Sequence, residues 1–181
     1  MKEIEVKFKV VDFKPIRKAL KKSGARFLGR AFEKTTKFDT PDGFLRRHNL
    51  WIRTRTGFKN VLTMKEKIGR DNKKFKQRKE IELEISDVQK MGWILKRLGF
   101  PKTLIMEKYR EKWCLKKTEI VLDKLPFGNF IEIEGKPDSI EKTEKILKLM
   151  PKDRIITTYW HLWEEIRQRK GIKNKNIVFR A

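Results

Sequence analysis

The most regular feature of the chain is an alternation of charged and aliphatic residues that returns in segment after segment. The opening stretch from Glu3 to Lys7, EIEVK, carries a charge at every second position. Side chains of a β-strand alternate between its two faces, so this stretch predicts a strand with two carboxylates and an ammonium on one face. Facing solvent, these groups would mark an ordinary edge strand. Facing inward, they would need a ligand or a metal to neutralise them.

The same alternation predicts the remaining strands, with turn-forming residues between them. Thr40–Gly43 is typical of a turn, Gly57 of a hairpin bend, and Ile68–Asn72 of a polar loop. The predicted strands are Lys2–Val10, Arg26–Thr40, Leu50–Thr56, Asn60–Lys67, Lys74–Ile85, Lys102–Leu115, Thr118–Asp123 and Asn129–Gly135.

Four segments predict helices instead, because a capping residue precedes an apolar helical pattern. They are Lys14–Ser23 capped by Asp12, a helix from Ser86 to Leu98, Glu141–Met150 capped by Asp138 or Ser139, and a last helix from Thr157 or Thr158 to about Lys170. Hairpin-connected strands with helices between some pairs predict an α+β domain, and roughly eight strands are enough to close a barrel or tunnel. Residues 1–171 are expected to form one domain, followed by a basic, solvated tail at 172–181.

The composition is compatible with several classes of binding partner and does not select one of them. The net charge of +23 in 181 residues is compatible with nucleic acid, with a small polyphosphate, or with a solvated basic surface. Apolar runs are too short for a membrane span, and no signal peptide is recognised. Cys114 is the single cysteine, so no disulfide framework is possible and a cytoplasmic location is expected. Abundant Lys and Glu are compatible with a thermophile.

Charged residues share a face in most of the predicted strands, which makes the inward orientation more plausible than for one strand alone. A closed barrel would then hold carboxylates and cations together, as suits a phosphate-rich anion that arrives with a divalent metal. The sets are Arg53 with Arg55, Thr63 with Lys65, Arg78 with Glu80, Glu82 and Glu84, Lys108 with Arg110 and Lys112, Glu119 with Asp123, and Glu132 with Glu134.

Taken in order, these segments resemble the CYTH domains, also called triphosphate tunnel metalloenzymes. That family includes class IV adenylate cyclases, thiamine triphosphatases and inorganic triphosphatases. Residues 3–7 resemble its opening ExExK. The other matching segments are Phe38–Asp42 (a YFDTPD-type segment), Leu50–Arg55 (LRxR-type), Thr63–Lys65, Arg78–Glu82, Lys108–Arg110, Asp123 with Gly128–Glu134 (LD…GxFxExE), and Thr158–Leu162 around Tyr159.

The resemblance implies an eight-stranded antiparallel tunnel and a role for each matching residue. The triphosphate-binding residues would be Lys7, Arg53, Arg55, Lys65, Arg78, Lys108 and Arg110. Metal ligands for Mg²⁺ or Mn²⁺ would be Glu3, Glu5, Glu132 and Glu134. Glu80, Glu82 and Asp123 would be catalytic, completing a metal site, positioning a water or orienting an arginine. Glu84, Lys112 and Glu119 are expected at the rim or in solvent, and Lys9 could lie on either side.

The implied function is a metal-dependent enzyme acting on a triphosphate-bearing small molecule, and two reactions stay open. The paired arginines and the length most resemble the class IV adenylate cyclase group, which converts ATP to cyclic AMP and pyrophosphate. Hydrolysis of tripolyphosphate, thiamine triphosphate or a nucleotide uses the same residues. A non-catalytic binder of polyphosphate or RNA 5′ ends is the alternative, while general nucleic-acid binding is not favoured. Either a monomer or a homodimer is compatible with the sequence.

Overall fold

The computed structural model describes residues 2–67 and 75–179, and within them eight strands and five α-helices follow one another. The strands are β1 Lys2–Val10, β2 Arg26–Phe38, β3 Leu50–Thr56, β4 Val61–Lys67, β5 Lys76–Glu84, β6 Lys102–Leu115, β7 Thr118–Leu125 and β8 Gly128–Glu134. The helices are α1 Lys14–Lys22, α2 Phe44–Arg47, α3 Val88–Arg97, α4 Pro137–Leu147 and α5 Tyr159–Arg169, with a 3₁₀ turn at Pro151–Asp153.

The strands close into a barrel in the order β1-β5-β4-β3-β2-β6-β7-β8. Every neighbouring pair is antiparallel, and β1 closes the ring because it pairs with β5 on one side and β8 on the other. The predicted α+β fold with a closed antiparallel tunnel is therefore confirmed. A closed barrel also leaves no unpaired strand edge along its circumference.

The hydrophobic core lies outside the barrel, between the strands and the helices α1 and α4. Because charged residues occupy the inward positions, the aliphatic residues of the same strands face outward. Val6, Phe8, Leu122 and Ile133 are at most 1% exposed there, and they pack with Leu20 of α1 and with α4 in one cluster. A smaller cluster lies where α5 approaches the barrel and includes Phe130, Tyr159 and Met106.

The basic tail does not extend into solvent as expected. Ile177 is fully buried, donates its backbone N–H to the carbonyl of Ile105, and accepts a bond from the N–H of Glu107. The tail thus forms a short parallel β-bridge with Met106 of β6. This residue lies outside the part of β6 that pairs with β7, which runs from Tyr109 to Leu115. A single apolar residue in a basic, polar stretch carries too little periodicity to predict such docking.

Helix α1 begins at Lys14 as predicted, but the caps of three helices differ from prediction, and α4 begins four residues early. The cap of α1 is Phe13 and not Asp12, whose carboxylate instead accepts from the N–H of Lys14. Asp87, not Ser86, caps α3. Helix α4 begins at Pro137 after Lys136, because proline suits the first helical turn, so neither Asp138 nor Ser139 is its cap.

Other boundaries agree closely or cannot be compared. Thr158 caps α5 as predicted. β2 ends two residues early, at Phe38, and the short helix α2 follows the predicted turn. The predicted loop Ile68–Asn72 and the predicted strand start at Lys74 lie outside the described residues. None of the described helices is long and apolar enough to cross a membrane.

Leu122→Ala is expected to lower the free energy of unfolding by about 2–5 kcal/mol, because it leaves a cavity in the outer core. Leu122 on β7 is fully buried. The matched control is Leu83→Ala on β5, where the leucine is 58% exposed and its loss should cost no more than about 0.5 kcal/mol. Urea denaturation of both variants measures the difference. Equal losses would contradict an outer core at β7.

Candidate active site

The barrel encloses a cavity of about 730 Å³ whose wall is mostly charged. Among the described residues, ten Lys or Arg side chains and seven Glu side chains line it, so this part of the wall carries an excess of cations. The residues assigned above to triphosphate binding, metal binding or catalysis all line this cavity except Asp123. They are Glu3, Glu5, Lys7, Arg53, Arg55, Lys65, Arg78, Glu80, Glu82, Lys108, Arg110, Glu132 and Glu134.

Strand register brings opposite charges side by side across the wall. Lys7 on β1 lies opposite Glu132 on β8, and Lys65 on β4 lies opposite Glu80 on β5. Directly opposed residues on antiparallel strands have neighbouring side chains, so these pairs interact. The Lys7 ammonium is 2.7 Å from Glu132 Oε1, and the Lys65 ammonium is 2.8 Å from Glu80 Oε2.

One part of the cavity wall is organised around Asp123, which is fully buried behind it. Arg110 donates Nε to Asp123 Oδ1 at 2.7 Å and Nη2 to Oδ2 at 2.5 Å. Lys108 and the Tyr159 hydroxyl each donate to Oδ2 at 3.0 Å. A carboxylate that accepts four hydrogen bonds holds its donors in fixed positions. Asp123 therefore lies where it can position cations, and it does not reach the cavity itself.

Protonation in this part of the wall is governed by burial and by the crowding of unlike charges. Burial alone would lower the pKa of Arg110, but Asp123, Glu33 and Glu132 raise it well above its usual value. Burial and the nearby Arg110 lower the pKa of Lys108. Burial and Asp123 raise the pKa of Tyr159. Opposite charges favour the ionised form and like charges disfavour it.

Tyr159, the first residue of α5, lines the cavity beside Asp123. The Lys7 ammonium lies 4.4 Å from the centre of its ring, and the Lys108 ammonium lies 5.5 Å from it. Both contacts are cation–π interactions. This part of the wall, called here the Tyr159 region, therefore combines Lys7, Lys108 and Arg110 with one aromatic ring.

A second set of carboxylates in the wall, on β1 and β8, lies close enough together for their charges to interact. Burial, reinforced by Glu3, Glu119 and Glu5, raises the pKa of Glu134 to about 8. Burial and Glu5 also raise the pKa of Glu3. The pKa of Glu5 is lowered to about 2, because Lys76 and Lys7 outweigh its burial.

These carboxylates suit a hard divalent cation by their chemistry, since Mg²⁺ and Mn²⁺ prefer oxygen ligands. The raised pKa values of Glu3 and Glu134 mark negative charge that the wall does not neutralise. Within residues 2–67 and 75–179, no three His, Cys, Asp or Glu side chains are already gathered at metal-binding distance. Glu3 is bound by Lys65 and Glu132 by Lys7, so a metal would have to exchange with these lysines.

A protein-family model described as the CYTH domain matches residues 1–158 of the chain. The chain belongs to the CYTH domain family. This result confirms the resemblance drawn from the motifs, and it covers every residue of the charged wall up to Thr158.

Individual CYTH relatives span nearly the same length. A Methanocaldococcus jannaschii protein with the provisional name of adenylate cyclase is 31% identical over 151 residues, covering 83% of this chain and 86% of the relative. The structure of the PH1819 protein from Pyrococcus horikoshii is 30% identical, with a TM-score of 0.73 over 91% of this chain and 99% of that one. The PH1012 structure from the same organism is 27% identical, with a TM-score of 0.72 over 87% and 96% of the two chains.

Several CYTH wall residues were missed by the sequence analysis, above all on β2. Glu33, Thr35 and Lys37 share the inward face of that strand, and Thr35 and Lys37 line the cavity. Glu33 is 2% exposed and lies 3.5 Å from the Lys108 ammonium. The signal was weak because Lys34 and Thr36 on the opposite face are polar too, so the strand shows no contrast between its faces.

Other differences concern residues expected at the rim. Lys112 and Glu119 line the cavity wall, with side chains 23% and 42% exposed. Glu84 is at the surface as expected, 64% exposed and paired with Lys59. Lys9 is exposed. The indole of Trp51 also lies in the wall, with the Arg78 guanidinium 5.3 Å from its ring centre.

Glu134→Gln is expected to remove a pH dependence of stability. The pKa of Glu134 is about 8 in the folded protein, against an ordinary value of 4.5. The folded state holds this proton more tightly, so the stabilisation is complete below pH 4.5 and is lost as the pH rises through 8. The difference in free energy of unfolding between wild type and E134Q should fall across this window, in urea series without divalent metal.

The matched control for this pH series is Glu66→Gln, on the exposed outer face of β4. Its stability curve should run parallel to that of the wild type at every pH. If the E134Q curve also ran parallel to wild type, Glu134 would not be perturbed by its neighbours.

Proposed function

We propose that this CYTH protein is a metal-dependent enzyme that hydrolyses a triphosphate-bearing substrate inside the barrel. The observation that carries the proposal is the combination, in one cavity wall, of the buried cations around Tyr159 with several carboxylates. Cations alone would suit any anion. Carboxylates in the same wall repel phosphate unless a divalent metal lies between them, so the combination favours a metal–triphosphate complex.

The end of a triphosphate chain would bind in the Tyr159 region. Lys7, Lys108 and Arg110 are 2%, 5% and 7% exposed, and all three line the cavity there with ammonium and guanidinium donors. A terminal phosphate would contact these donors, and any organic group would lie further along the cavity. Further along the wall, Arg53, Arg55, Arg78 and Lys65 would bind the remaining phosphates, since guanidinium groups hold phosphate oxygens in pairs.

Glu3, Glu5, Glu132 and Glu134 would hold the metal on the grounds of their donor chemistry, and the charge of Glu3 and Glu134 is in addition not neutralised by the wall. When bound, Mg²⁺ or Mn²⁺ would neutralise phosphate oxygens and stabilise the charge that develops in the transition state. Phosphoryl transfer needs little else from a protein beyond positioning and fixed charges.

In the proposed reaction a water oxygen attacks the terminal phosphorus, and the bond from that phosphorus to the bridging oxygen breaks. Inorganic phosphate leaves, the remaining phosphates depart on the bridging oxygen, and the water proton passes to solvent. Glu80 and Glu82 would orient the water, since both carboxylates project from β5 into the cavity. Asp123 would act indirectly, by holding Arg110 and Lys108.

Cyclisation of ATP is the second candidate, and two observations favour it. The M. jannaschii relative carries the provisional name of adenylate cyclase. The flat indole of Trp51 in the wall could support an adenine ring beside the phosphate-binding arginines. In that reaction the ribose 3′ hydroxyl would attack the α-phosphate, and pyrophosphate would leave.

A substrate panel tests the proposal and separates the two reactions. The protein is incubated with tripolyphosphate, ATP or thiamine triphosphate and with Mg²⁺ or Mn²⁺, while phosphate release and cyclic AMP are measured in parallel. We expect metal-dependent phosphate release. Glu132→Ala combined with Glu134→Ala should abolish it, by at least about a hundredfold, because metal ligands are lost.

The matched double control is Glu66→Ala with Glu141→Ala, which removes two carboxylates outside the cavity and should leave turnover intact. Cyclic AMP without phosphate release would favour the cyclase. Neither product with any substrate would contradict the enzyme proposal and leave a polyphosphate-binding protein. Turnover by the Glu132/Glu134 double variant at the wild-type rate would refute the metal assignment.

Lys37→Met is expected to weaken binding of tripolyphosphate by about tenfold or more, the usual worth of a hydrogen bond to a charged group. Lys37 lines the cavity opposite Arg53. Burial lowers the pKa of Lys37, and Asp39 only partly opposes that shift. No ion pair joins Lys37 to a carboxylate among the described residues, so its ammonium is available for phosphate.

Isothermal titration with tripolyphosphate measures this effect. The control is Lys34→Met, three residues earlier on the same strand, where the side chain is exposed on the opposite face. It removes the same charge without touching the cavity, so it should bind tripolyphosphate like the wild type. Equal losses in the two variants would show a general charge effect and remove Lys37 from the site.

A further inference from the structure

The cavity wall, as far as it is described, accounts for little of the positive charge of the chain. Among the described residues, ten Lys or Arg and seven Glu line the wall, a balance of +3, against +23 for the whole sequence. A triphosphate site therefore does not explain the basic character of this protein. A polyanion bound on the outside would, because exposed cations displace the counterions of a phosphate backbone.

One part of the outer surface combines these cations with exposed aromatic rings. On the outward face of β6, the backbone N–H of Glu107 binds the tail, and the carboxylate of Glu111 binds Arg17 of α1. Tyr109 lies between these two residues, where neither the tail backbone nor α1 covers it. Tyr109 is 48% exposed, and Phe32, opposite it on β2, is 43% exposed. Large exposed aromatic groups in a cluster mark interaction surfaces more often than isolated ones do.

The two rings join a third from the tail to form one surface, named here the aromatic platform: Phe32, Tyr109 and Phe179. Ring centres of Phe32 and Tyr109 are 5.1 Å apart, and those of Tyr109 and Phe179 are 5.2 Å apart. The docking of the tail on β6 thus completes the platform. Each ring supports its neighbour, so the exposed faces are held in place before any ligand binds.

Lysines surround the aromatic platform. Lys124 on β7 lies directly opposite Tyr109, and Lys34 is the next outward residue after Phe32 on β2. Both are exposed, as are Lys173 and Lys175 of the tail. Among the described residues no carboxylate lies within ion-pair distance of Lys34 or Lys124. Glu107 is the acidic neighbour, and its side chain already accepts the backbone N–H of Phe179.

We propose that the aromatic platform and its lysines bind single-stranded RNA. Unpaired bases would stack on the exposed ring faces, and the phosphates would run along Lys34 and Lys124. Duplexes are disfavoured, because their bases are already stacked and cannot reach the rings. RNA is favoured over single-stranded DNA because the exposed Tyr109 hydroxyl, which has no hydrogen-bond partner among the described residues, can contact a ribose 2′ hydroxyl. This site is separate from the cavity and does not depend on the proposed enzymatic function.

Fluorescence anisotropy with a labelled oligouridine of about twelve nucleotides tests the proposal, since such a length spans a typical single-strand site. The RNA carries a 5′ hydroxyl, and excess tripolyphosphate is present, so the cavity cannot account for binding. We expect binding that weakens steeply with salt. Phe32→Ala combined with Tyr109→Ala should weaken it at least about tenfold, because two stacking faces are lost.

Three further variants make the result specific. Tyr109→Phe keeps the ring and should retain most of the affinity, and Lys124→Glu should weaken binding while leaving the core untouched. The matched control is Trp93→Ala on α3, which removes an indole that is 61% exposed beside Arg97 on another face. It should bind oligouridine like the wild type. Phosphate release from tripolyphosphate, if present in the wild type, should be unchanged in all four variants.

Several outcomes would overturn the proposal. They are absence of oligouridine binding at low salt, complete displacement of the RNA by tripolyphosphate, and equal affinity of the Phe32/Tyr109 variant and the Trp93 variant. Oligothymidine bound as tightly as oligouridine would remove the assignment to RNA. A wild-type dimer in light scattering that the Phe32/Tyr109 variant dissociates would make this face a contact between copies of the chain instead.

Discussion

The structure depends on mutual neutralisation of charges inside a closed barrel. Isolated charges cost several kcal/mol each when they are removed from water, and a partner must offset that cost. Asp123 shows how this is achieved: fully buried, it accepts bonds from Arg110, Lys108 and Tyr159 together. Glu33 approaches the same two cations from β2. Removing either carboxylate would leave Arg110 and Lys108 with less opposite charge around them.

A charged interior forces the hydrophobic core to the outside. Each strand has two faces, and when one holds charges the other must supply the apolar burial that stabilises the fold. The barrel therefore needs α1 and α4 against its outer surface, where Leu20 and Ile140 reach the strands. Where no helix or tail covers the strands, apolar and aromatic side chains stay exposed, as Leu83 on β5 and Tyr109 on β6 do. The same constraint explains both the cavity and the exposed rings.

Strand faces could be predicted from the sequence because alternation has a fixed period. Glu132 and Glu134 contrast with Ile131 and Ile133, and all four lie on the expected sides of β8. Partners across the barrel could not be predicted, since which carboxylate meets Arg110 depends on register and strand tilt. The inward face of β2 was missed because Lys34 and Thr36 on the outward face are polar, as Glu33, Thr35 and Lys37 on the inward face are. Helix caps were misplaced where several capping residues follow one another, as Ser86 and Asp87 do.

The ion pairs within the cavity also bear on how a metal–triphosphate complex would enter it. Glu132 is bound by Lys7 and Arg110, and Glu3 by Lys65, so the groups proposed for metal and for phosphate now bind one another. A phosphate that takes Lys7 would free Glu132 for the metal, and a metal that takes Glu132 would free Lys7 for phosphate. Binding of either ligand thus breaks an ion pair that the other ligand would otherwise have to break. Thermodynamic linkage then requires the two affinities to rise together, by the same factor in each direction. On the proposed function, metal and triphosphate enter this barrel as one neutralising unit, because either alone must break ion pairs without replacing them.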